Sequence, residues 1–237
     1  MLEFTKAPGT LQAGRRVYAI GDVHGCDARL AELHAAIADD LAHRPCAAPL
    51  LLHLGDYVDR GPDSRGVVQL LADGDPIPGV PTVNLLGNHE QTMIDALSGQ
   101  GAAMTDWMIQ GGREALISYG GDPDAPRPSW PGHVPPAHMA FLQRLALTHQ
   151  EGTYLFVHAG IRPGVAIADQ VRQDLISIRQ AFLYNESDFG VVVVHGHTPK
   201  PEPVVKHNRL GLDTGAVYGG RLTCAILEAD EMAFLFA

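Results

Sequence analysis

The sequence predicts an α/β fold built from βαβ units, and three features of the chain lead to that expectation. Short apolar runs alternate with amphipathic stretches along the 237 residues, which is typical of parallel strands joined by helices. Glycine and polar residues follow the apolar runs, as they do where strands end. Apolar residues make up 46% of the chain and charged residues 19%, a composition that is ordinary for a globular domain.

The apolar runs predict five core strands and a largely parallel central sheet. After the first strand, Leu30, Leu33, Ile37 and Leu41 recur at helical spacing and predict an amphipathic helix. The last third of the chain is typical of short antiparallel strands joined by tight turns. The predicted strands cover residues 16–21, 49–55, 82–87, 153–158 and 190–196, and further helices are expected near 64–73, 89–98 and 167–182.

Residues 99–150 interrupt this alternation. Short apolar stretches separated by glycines precede a proline-rich loop, and a helix is predicted at about 136–148. We interpret the segment as a small helical cap inserted over one face of the sheet. A chain of this length accommodates a single domain that spans residues 1–237.

Charge and cysteine usage disfavour several classes of protein. The formal net charge of −10 argues against nucleic acid as a partner, since proteins that bind it present a basic face to the phosphate backbone. The three cysteines, Cys26, Cys46 and Cys224, are scattered, which favours reduced thiols and a cytoplasmic location over a disulfide framework. The sequence shows neither a signal peptide nor an apolar run of about 20 residues, so we expect no membrane association.

Polar side chains follow every predicted core strand. Each motif alone has an ordinary explanation, such as a helix cap, a turn or a surface ion pair, but their recurrence at five strand ends indicates a site. Ligands bind beyond the carboxyl ends of the strands in open α/β sheets, so these groups should converge. They are Asp22 and His24 in GDVHG, Asp56, Asp59 and Arg60 in GDYVDRG, Asn88, His89 and Glu90 in GNHE, His158 in VHAG, and His195 and His197 in HGHT.

The types of side chain in this set indicate divalent metal ions. Carboxylate, imidazole and amide oxygen ligands without thiolate suit manganese, with iron and zinc as alternatives. Five or six protein ligands are too many for one metal that keeps an open position, so they predict two ions with Asp56 as the bridge. Two ions about 3.5–4 Å apart can direct a shared hydroxide at phosphorus in line with the leaving group.

The sequence resembles the phosphoprotein phosphatase family of calcineurin-like metallophosphoesterases. The motifs GDVHG, GDYVDRG, GNHE, HAG and GHT occur in family order, and the resemblance covers residues 16–228. LDTGAVYGGRLT at 212–223 is similar to the C-terminal signature of the bacterial and phage-type serine/threonine phosphatases. The resemblance implies a metallophosphoesterase β-sandwich with flanking helices and the hydrolysis of phosphoserine and phosphothreonine in proteins, with phosphotyrosine as a further candidate.

The resemblance also implies a ligand set for the two metals. Asp56 would contact both ions. His197 is chosen as the last ligand because it precedes threonine, as in the family's GHT. His195 is a near rival for this role. If it is not a ligand, His195 would be a strand-end histidine behind the ligands. The implied ligands are Asp22 and His24 for the first metal and Asn88, His158 and His197 for the second.

Catalytic and substrate-binding roles follow from the same resemblance. His89 would protonate the leaving oxygen, and Asp59 would orient its imidazole; a positioned acid of this kind contributes about 10²–10⁴-fold in rate. Arg60 would bind two phosphoryl oxygens through its planar guanidinium, and Asn88 would also contact the substrate. Arg179 is a second candidate arginine, although Ser177 stands where relatives have tryptophan, and a solvated helix residue is the alternative. For Glu90 we expect a helix cap or a loop anchor.

Two other functions compete with the protein phosphatase interpretation. The first is a bis(5′-nucleosyl)-tetraphosphatase, for which Trp107, Arg113 and Trp130 could bind the second nucleoside. GDYVDRG and GNHE follow the protein-phosphatase form, whereas the symmetrical tetraphosphatases resemble VARG and GNHD, so the protein substrate is preferred. The second is a module that binds phosphoprotein without hydrolysis, which is disfavoured because every expected catalytic position is filled.

Overall fold

The computed structural model describes residues 2–237. The strands, in chain order, are β1 (Thr5–Lys6), β2 (Arg15–Ile20), β3 (Ala48–His53), β4 (Thr82–Asn84), β5 (Thr148–Glu151), β6 (Tyr154–Val157), β7 (Val192–His195), β8 (Val204–Lys206), β9 (Arg209–Gly211), β10 (Thr223–Glu228) and β11 (Glu231–Phe236). They form a six-stranded sheet in the order β1-β11-β10-β2-β3-β4 and a five-stranded sheet in the order β5-β6-β7-β9-β8.

Helices connect the strands and flank both sheets. They are α1 (Asp27–His43), α2 (Ser64–Ala72), α3 (Asn88–Leu97), α4 (Gly101–Trp107), α5 (Arg113–Ser118), α6 (Pro136–Gln143), α7 (Arg172–Ser177) and α8 (Gln180–Leu183), with a wide helical turn at Met108–Gly112 and 3₁₀ turns at Arg127–His133, Ile167–Asp169 and Ala216–Tyr218. Within residues 2–237, no helix combines the length and the hydropathy needed to cross a bilayer.

The two sheets pack face to face, with helices on both outer sides. Alternate residues of a strand point to opposite faces of its sheet. Val17 and Ala19 of β2 therefore join the core between the sheets, whereas Tyr18 and Ile20 pack with α1 and α2 on the outer side of the first sheet. The second sheet is covered from its own outer side by a cluster that includes Phe182 of α8. This arrangement confirms the predicted α/β sandwich with flanking helices.

The predicted core strands pair in parallel, as expected, but they are divided between two sheets and do not form one central sheet. β2, β3 and β4 pair in parallel in the first sheet, and β6, β7 and β9 pair in parallel in the second. Antiparallel β10 and β11 complete the first sheet beside β2. The alternation of strand and helix determines only local connections, and the long segment between β4 and β5 allows the chain to start a second sheet.

Two predicted helices are shorter than expected. The helix predicted at 136–148 ends at Gln143, and Thr148–Glu151 pairs with β6 as an antiparallel strand. The helix predicted at 167–182 is divided into a 3₁₀ turn and two short helices. The chain bends between α7 and α8, where Arg179 has φ −129° and ψ −97°.

The inserted segment packs on the helices of the first sheet. α4 contacts α3, while α5 and α6 contact α2. Trp107 and Trp130 are buried in this region, with their rings 6.2 Å apart. The segment therefore places an aromatic cluster directly behind the loops that follow β3 and β4.

Candidate active site

The loops at the strand ends hold an unusual concentration of strained backbone. Five residues other than glycine have positive φ there, and beyond them only Ala229 does so within residues 2–237. The Cβ atom of any residue other than glycine makes this conformation unfavourable, so it persists where surrounding contacts enforce it, commonly at functional sites. The five are His24 (44°), Asp56 (55°), Asp59 (72°), Arg60 (68°) and His197 (66°).

The carboxylate of Asp56 lies at the centre of these loops and is 2% exposed. Oδ1 lies 3.3 Å from Nε2 of His158. Oδ2 lies 3.6 Å from Nε2 of His24 and 4.0 Å from Nε2 of His89. Asp56 thus belongs to two clusters of metal-ligating side chains, one with His24 and His89 and one with His158 and His197. A carboxylate shared by two clusters is the arrangement that a bridging ligand requires.

The charges of Asp56 and His158 are strongly interdependent. Burial alone would raise the pKa of Asp56, but His158, His89 and His24 hold this pKa well below its ordinary value. Burial would likewise lower the pKa of His158, but the Asp56 carboxylate raises it to about 10. Burial lowers the pKa of His24 and of His197 to about 3, so both rings are neutral and able to bind a metal through nitrogen at neutral pH.

The other two predicted ligands lie at the same place. Both carboxylate oxygens of Asp22 accept hydrogen bonds from the backbone N–H of His197 at 3.0 Å, and Oδ1 of Asn88 lies 3.2 Å from Nε2 of His158. Gly196 and Gly87 permit this crowding, because a Cβ at either position would collide with Asp22 or Asp56. The structure therefore brings together all six side chains predicted as ligands.

The chemistry of these donors fits a pair of divalent metal ions. Two carboxylates and three imidazoles are buried together, and the half-buried Asn88 adds an amide oxygen. A buried carboxylate is costly unless a cation or hydrogen bonds compensate it. Asp22, His24 and Asp56 would hold one ion, and Asp56, Asn88, His158 and His197 would hold the other. His89 also belongs to the first cluster by distance, through the Nε2 that faces Asp56.

His89 forms a buried chain with Asp59 and Trp107. Nδ1 of His89 lies 2.7 Å from Oδ2 of Asp59, and the indole N–H of Trp107 donates to Oδ1 of the same carboxylate at 2.8 Å. Burial would lower the pKa of His89, but Asp56 and Asp59 raise it above its ordinary value. These two carboxylates favour the protonated imidazole over the neutral one, as a general acid requires.

Trp107 was not expected in this role. The sequence suggested its indole as a surface for a nucleoside, but Trp107 is fully buried and Trp130 is 2% exposed, so neither ring is available for stacking. Arg113 is exposed and pairs with Asp124. No signal in the sequence distinguishes a tryptophan that donates to Asp59 from one that only fills a core.

Glu90 anchors the loop that carries Asp56, as expected. Oε2 accepts the backbone N–H groups of Asp56 and Gly87 at 2.9 Å. Oε1 accepts those of Tyr57 at 2.7 Å and Val58 at 3.2 Å. One fully buried carboxylate thus caps α3 and fixes the positive-φ turn at Asp56.

Two arginines approach the cluster from different sides. Nη1 of Arg60 lies 2.7 Å from Nε2 of His24, and Nε of Arg179 lies 3.1 Å from Nε2 of His197. The backbone of Arg60 is held by the insertion, since its N–H donates to the carbonyl of Gly111 at 3.0 Å. Arg60 also lies 5.7 Å from the ring of the exposed Tyr218. Guanidinium groups placed this way suit an oxyanion substrate.

His195 lies apart from this cluster. Its Nδ1 is 3.0 Å from the carbonyl oxygen of Gly196, and its ring packs edge-on against Phe182 at 5.1 Å between centroids. His197, by contrast, is grouped with Asp56 and His158. Of these two histidines, His197 is therefore the one that lies in the cluster around Asp56, and its role as a ligand stays a prediction.

Comparisons with known proteins agree with this geometry. Residues 15–234 match the calcineurin-like phosphoesterase family. Serine/threonine-protein phosphatase 1 of Salmonella typhimurium is 27% identical over 90% of this chain and 93% of its own. The asymmetrical bis(5′-nucleosyl)-tetraphosphatase PrpE of Halalkalibacterium halodurans is 25% identical over 91% of each chain. A crystal structure described as a "putative diadenosine tetraphosphatase" superposes with a TM-score of 0.65 at 22% identity, covering 94% of this chain and 93% of the other.

The family match covers nearly all of the chain, including every strand that leads into the site. It also confirms the resemblance noted from the motifs, which lie within the matched residues. The chain therefore belongs to the calcineurin-like phosphoesterase family and is a hydrolase with a candidate centre for divalent metals.

Proposed function

We propose that the protein is a phosphomonoesterase that removes phosphate from phosphoserine and phosphothreonine in proteins, with manganese as its metal. The observation that carries this proposal is the buried dyad of His89 and Asp59 beside the shared carboxylate of Asp56. It provides a cationic acid next to a site for two cations, which is what cleavage of an unactivated alkyl phosphate requires.

Each residue of the site has a defined task in this reaction. The guanidinium groups of Arg60 and Arg179 bind and orient the phosphoryl oxygens of the substrate. Divalent ions held by the ligand set would supply Lewis-acid charge and lower the pKa of water at the site. Nε2 of His89 donates a proton to the departing serine or threonine oxygen, and Asp59 holds Nδ1–H and stabilises the imidazolium.

Two observations support a protein substrate. Serine/threonine-protein phosphatase 1 of S. typhimurium aligns with nearly the whole of this chain, and the proposed nucleoside platform is absent because Trp107 and Trp130 are buried. The symmetrical tetraphosphatase of Methylococcus capsulatus is 30% identical, but the alignment covers only 62% of this chain and 44% of that protein.

Cleavage of a dinucleoside tetraphosphate is the second candidate function. The full-length similarity to the asymmetrical enzyme PrpE and the TM-score of 0.65 favour it. Both reactions use the same acid and the same arginines. The two functions therefore differ in which substrate the surface around the site binds, a phosphopeptide or a dinucleotide.

A rate comparison tests the two functions directly. The protein, reconstituted with manganese, is assayed in parallel on phosphoserine, phosphothreonine and phosphotyrosine peptides and on a dinucleoside tetraphosphate. We expect the highest kcat/KM on the phosphoserine or phosphothreonine peptides, with activity lost in Asp59→Asn prepared in the same way. Turnover of the dinucleotide that is faster by orders of magnitude would establish the second candidate instead.

A further inference from the structure

A cavity adjoins the chain segment that carries the last predicted ligand. Its volume is about 220 Å³. Leu183, Tyr184 and Val204 form apolar walls, and the ring of His195 lies at its inner end. His195 and His197 flank Gly196 and belong to different sites, since His197 lies in the cluster around Asp56 while His195 lines this cavity. The cavity is therefore distinct from the cluster at the strand ends.

Nε2 of His195 is a buried polar atom that the protein does not satisfy. The residue is 3% exposed, and within residues 2–237 this nitrogen has no hydrogen-bond partner. Nδ1 lies 3.0 Å from the carbonyl oxygen of Gly196. A carbonyl can only accept, so the hydrogen of the neutral ring is on Nδ1 and Nε2 presents a lone pair. The inner end of the cavity therefore offers an acceptor to any group that carries a hydrogen.

Basic side chains surround the same cavity. Lys200 and Lys206 line it, and these are two of the three lysines in a chain whose formal net charge is −10. Arg209, 3% exposed, lies in its wall and donates to the backbone carbonyls of Leu183 and Asn185. Lys206 pairs with Glu186 at the rim, and the carboxylate of Asp213 also lines the cavity. Three cations against these two carboxylates leave a local excess of positive charge in an acidic protein.

We infer that this cavity binds a small organic anion that also carries an O–H or N–H donor. The donor is satisfied by Nε2 of His195, the anionic group lies near Lys200 and Arg209, and a flat or aliphatic body fits between Leu183, Tyr184 and Val204. Such a mixture of apolar walls and a few convergent polar groups is typical of small-molecule sites. Burial of an unsatisfied acceptor is unfavourable, so a ligand that hydrogen-bonds to it gains affinity.

The test uses three probes of nearly the same shape and the protein loaded with zinc, whose closed-shell ion leaves the signals of nearby histidines sharp. 4-Hydroxybenzoate carries both the donor and the anion, benzoate lacks the donor, and phenol lacks the anion. Binding is followed by NMR of the histidine imidazoles, with the His195 signals assigned through His195→Gln. We expect 4-hydroxybenzoate to shift the His195 signals and to bind about tenfold more tightly than benzoate or phenol, the ratio expected for one lost hydrogen bond or charge contact.

Two variants locate the binding. Gly211→Ala would place a methyl group 3.3 Å from Nε2 of His195 and 3.4 Å from Cβ of Val204, and should abolish binding by filling the inner end. Lys200→Gln changes an exposed side chain at the rim, leaves the fold intact, and should weaken binding about fivefold to tenfold. Lys6→Gln is the matched control, because Lys6 is exposed, lies in β1 of the first sheet and pairs with Asp230.

Several results would overturn the inference. Benzoate that binds as tightly as 4-hydroxybenzoate would show that the carboxylate alone is recognised, as a metal centre would recognise it. Undiminished binding to Lys200→Gln, or to a folded Gly211→Ala, would place the probe elsewhere. Lack of any His195 shift at saturating 4-hydroxybenzoate would exclude the proposed acceptor. None of these outcomes depends on phosphatase activity, so the inference can fail while the proposed function stands.

Discussion

Trp107 and His89 bind the same carboxylate from opposite sides: the indole N–H donates to Oδ1 of Asp59 at 2.8 Å, and Nδ1 of His89 lies 2.7 Å from Oδ2. All three side chains are buried. Trp107 comes from the inserted segment, and Asp59 and His89 come from two strand-end loops. The insertion thus contributes directly to the position and charge of the proposed general acid.

Replacing Trp107 with phenylalanine should reduce catalysis by perturbing this carboxylate. Burial raises the pKa of Asp59, and the hydrogen bonds from His89 and Trp107 lower it. Without the indole N–H the pKa of Asp59 should rise further. We expect kcat to fall about tenfold, KM to change little, and the acid limb of the pH–rate profile to move to higher pH.

Trp130→Phe is the matched control for that experiment. Trp130 is buried 6.2 Å from Trp107, and within residues 2–237 its indole nitrogen has no hydrogen-bond partner. Trp130→Phe should lose about as much packing as Trp107→Phe, but the acid limb of its pH–rate profile should not move. Equal pH profiles for the two variants would show that Trp107 acts through packing alone.

Replacing His89 with alanine should affect substrates according to their leaving groups. A phosphoserine peptide needs its alkoxide protonated, whereas p-nitrophenolate leaves without help. We expect kcat to fall by about 10²–10⁴ for the peptide and much less for p-nitrophenyl phosphate. Equal losses on both substrates would contradict the role of His89 as the acid.

The pH dependence of the native protein should agree with that role. Asp56 and Asp59 raise the pKa of His89 above its ordinary value, so the protonated form is lost at a higher pH than in a free imidazole. Peptide turnover should therefore decline on the alkaline side. This decline should be absent in His89→Ala when residual activity is measured on p-nitrophenyl phosphate.

Replacing Asp56 with asparagine should remove metal and activity together. Asparagine keeps the shape of the side chain but loses the charge and one oxygen donor, so it cannot serve both clusters that share Asp56. We expect elemental analysis after reconstitution and dialysis to show fewer than two ions per chain. Asp63→Asn is a suitable control, because Asp63 caps α2 through Gly66 and asparagine caps helices equally well. Retention of two ions in Asp56→Asn would exclude a bridging role.

A buried histidine pair predicts a loss of stability in acid. Nε2 of His34 lies 2.9 Å from Nε2 of His53, and Nδ1 of His53 lies 2.8 Å from Oδ1 of Asn84. Burial lowers the pKa of His34 to about 4 and that of His53 well below its ordinary value. The unfolded chain therefore binds these protons more readily, and stability is lost as the pH falls below about 6.5.

Urea unfolding at about pH 7 and about pH 5 measures this loss of stability. For His34 alone, the free energy of unfolding should fall by about 2 kcal/mol between the two pH values. In His34→Gln the pH-dependent loss should be smaller by roughly this amount. His43→Gln, an exposed change on the same helix, should leave the loss unaltered. A His34→Gln variant with the full pH dependence would show that other groups cause the acid destabilisation.

Much of the site could be predicted from the sequence because its residues lie in short motifs at strand ends. A strand, a turn and the side chains within it are determined locally, so Asp22, Asp56, Asn88 and His158 could be placed at one edge of a sheet. The division of the strands between two sheets could not be predicted in this way. β2 pairs with β10, whose residues are about 200 positions away, and nothing local to either strand determines that pairing.

The contribution of Trp107 and the path of the chain at Arg179 also required the tertiary structure. The glycine-rich sequence around Trp107 gives no indication that its indole N–H reaches the carboxylate of Asp59. Arg179 lies at a bend between two short helices, where the spacing of apolar residues suggested one continuous helix. The bend leaves Nε of Arg179 3.1 Å from His197, which a straight helix would not have implied.

The pairing of β2 with β10 has a consequence for folding during translation. β2 is made early and β10 near the end of the described residues, so one edge of β2 has no neighbour during most of translation. Exposed edges of this kind invite association with other chains. The turn that carries Asp22 follows β2 directly, so it reaches its final conformation only after β10 has paired with β2. Nascent chains stalled before residue 223 should be dependent on chaperones and unable to capture metal.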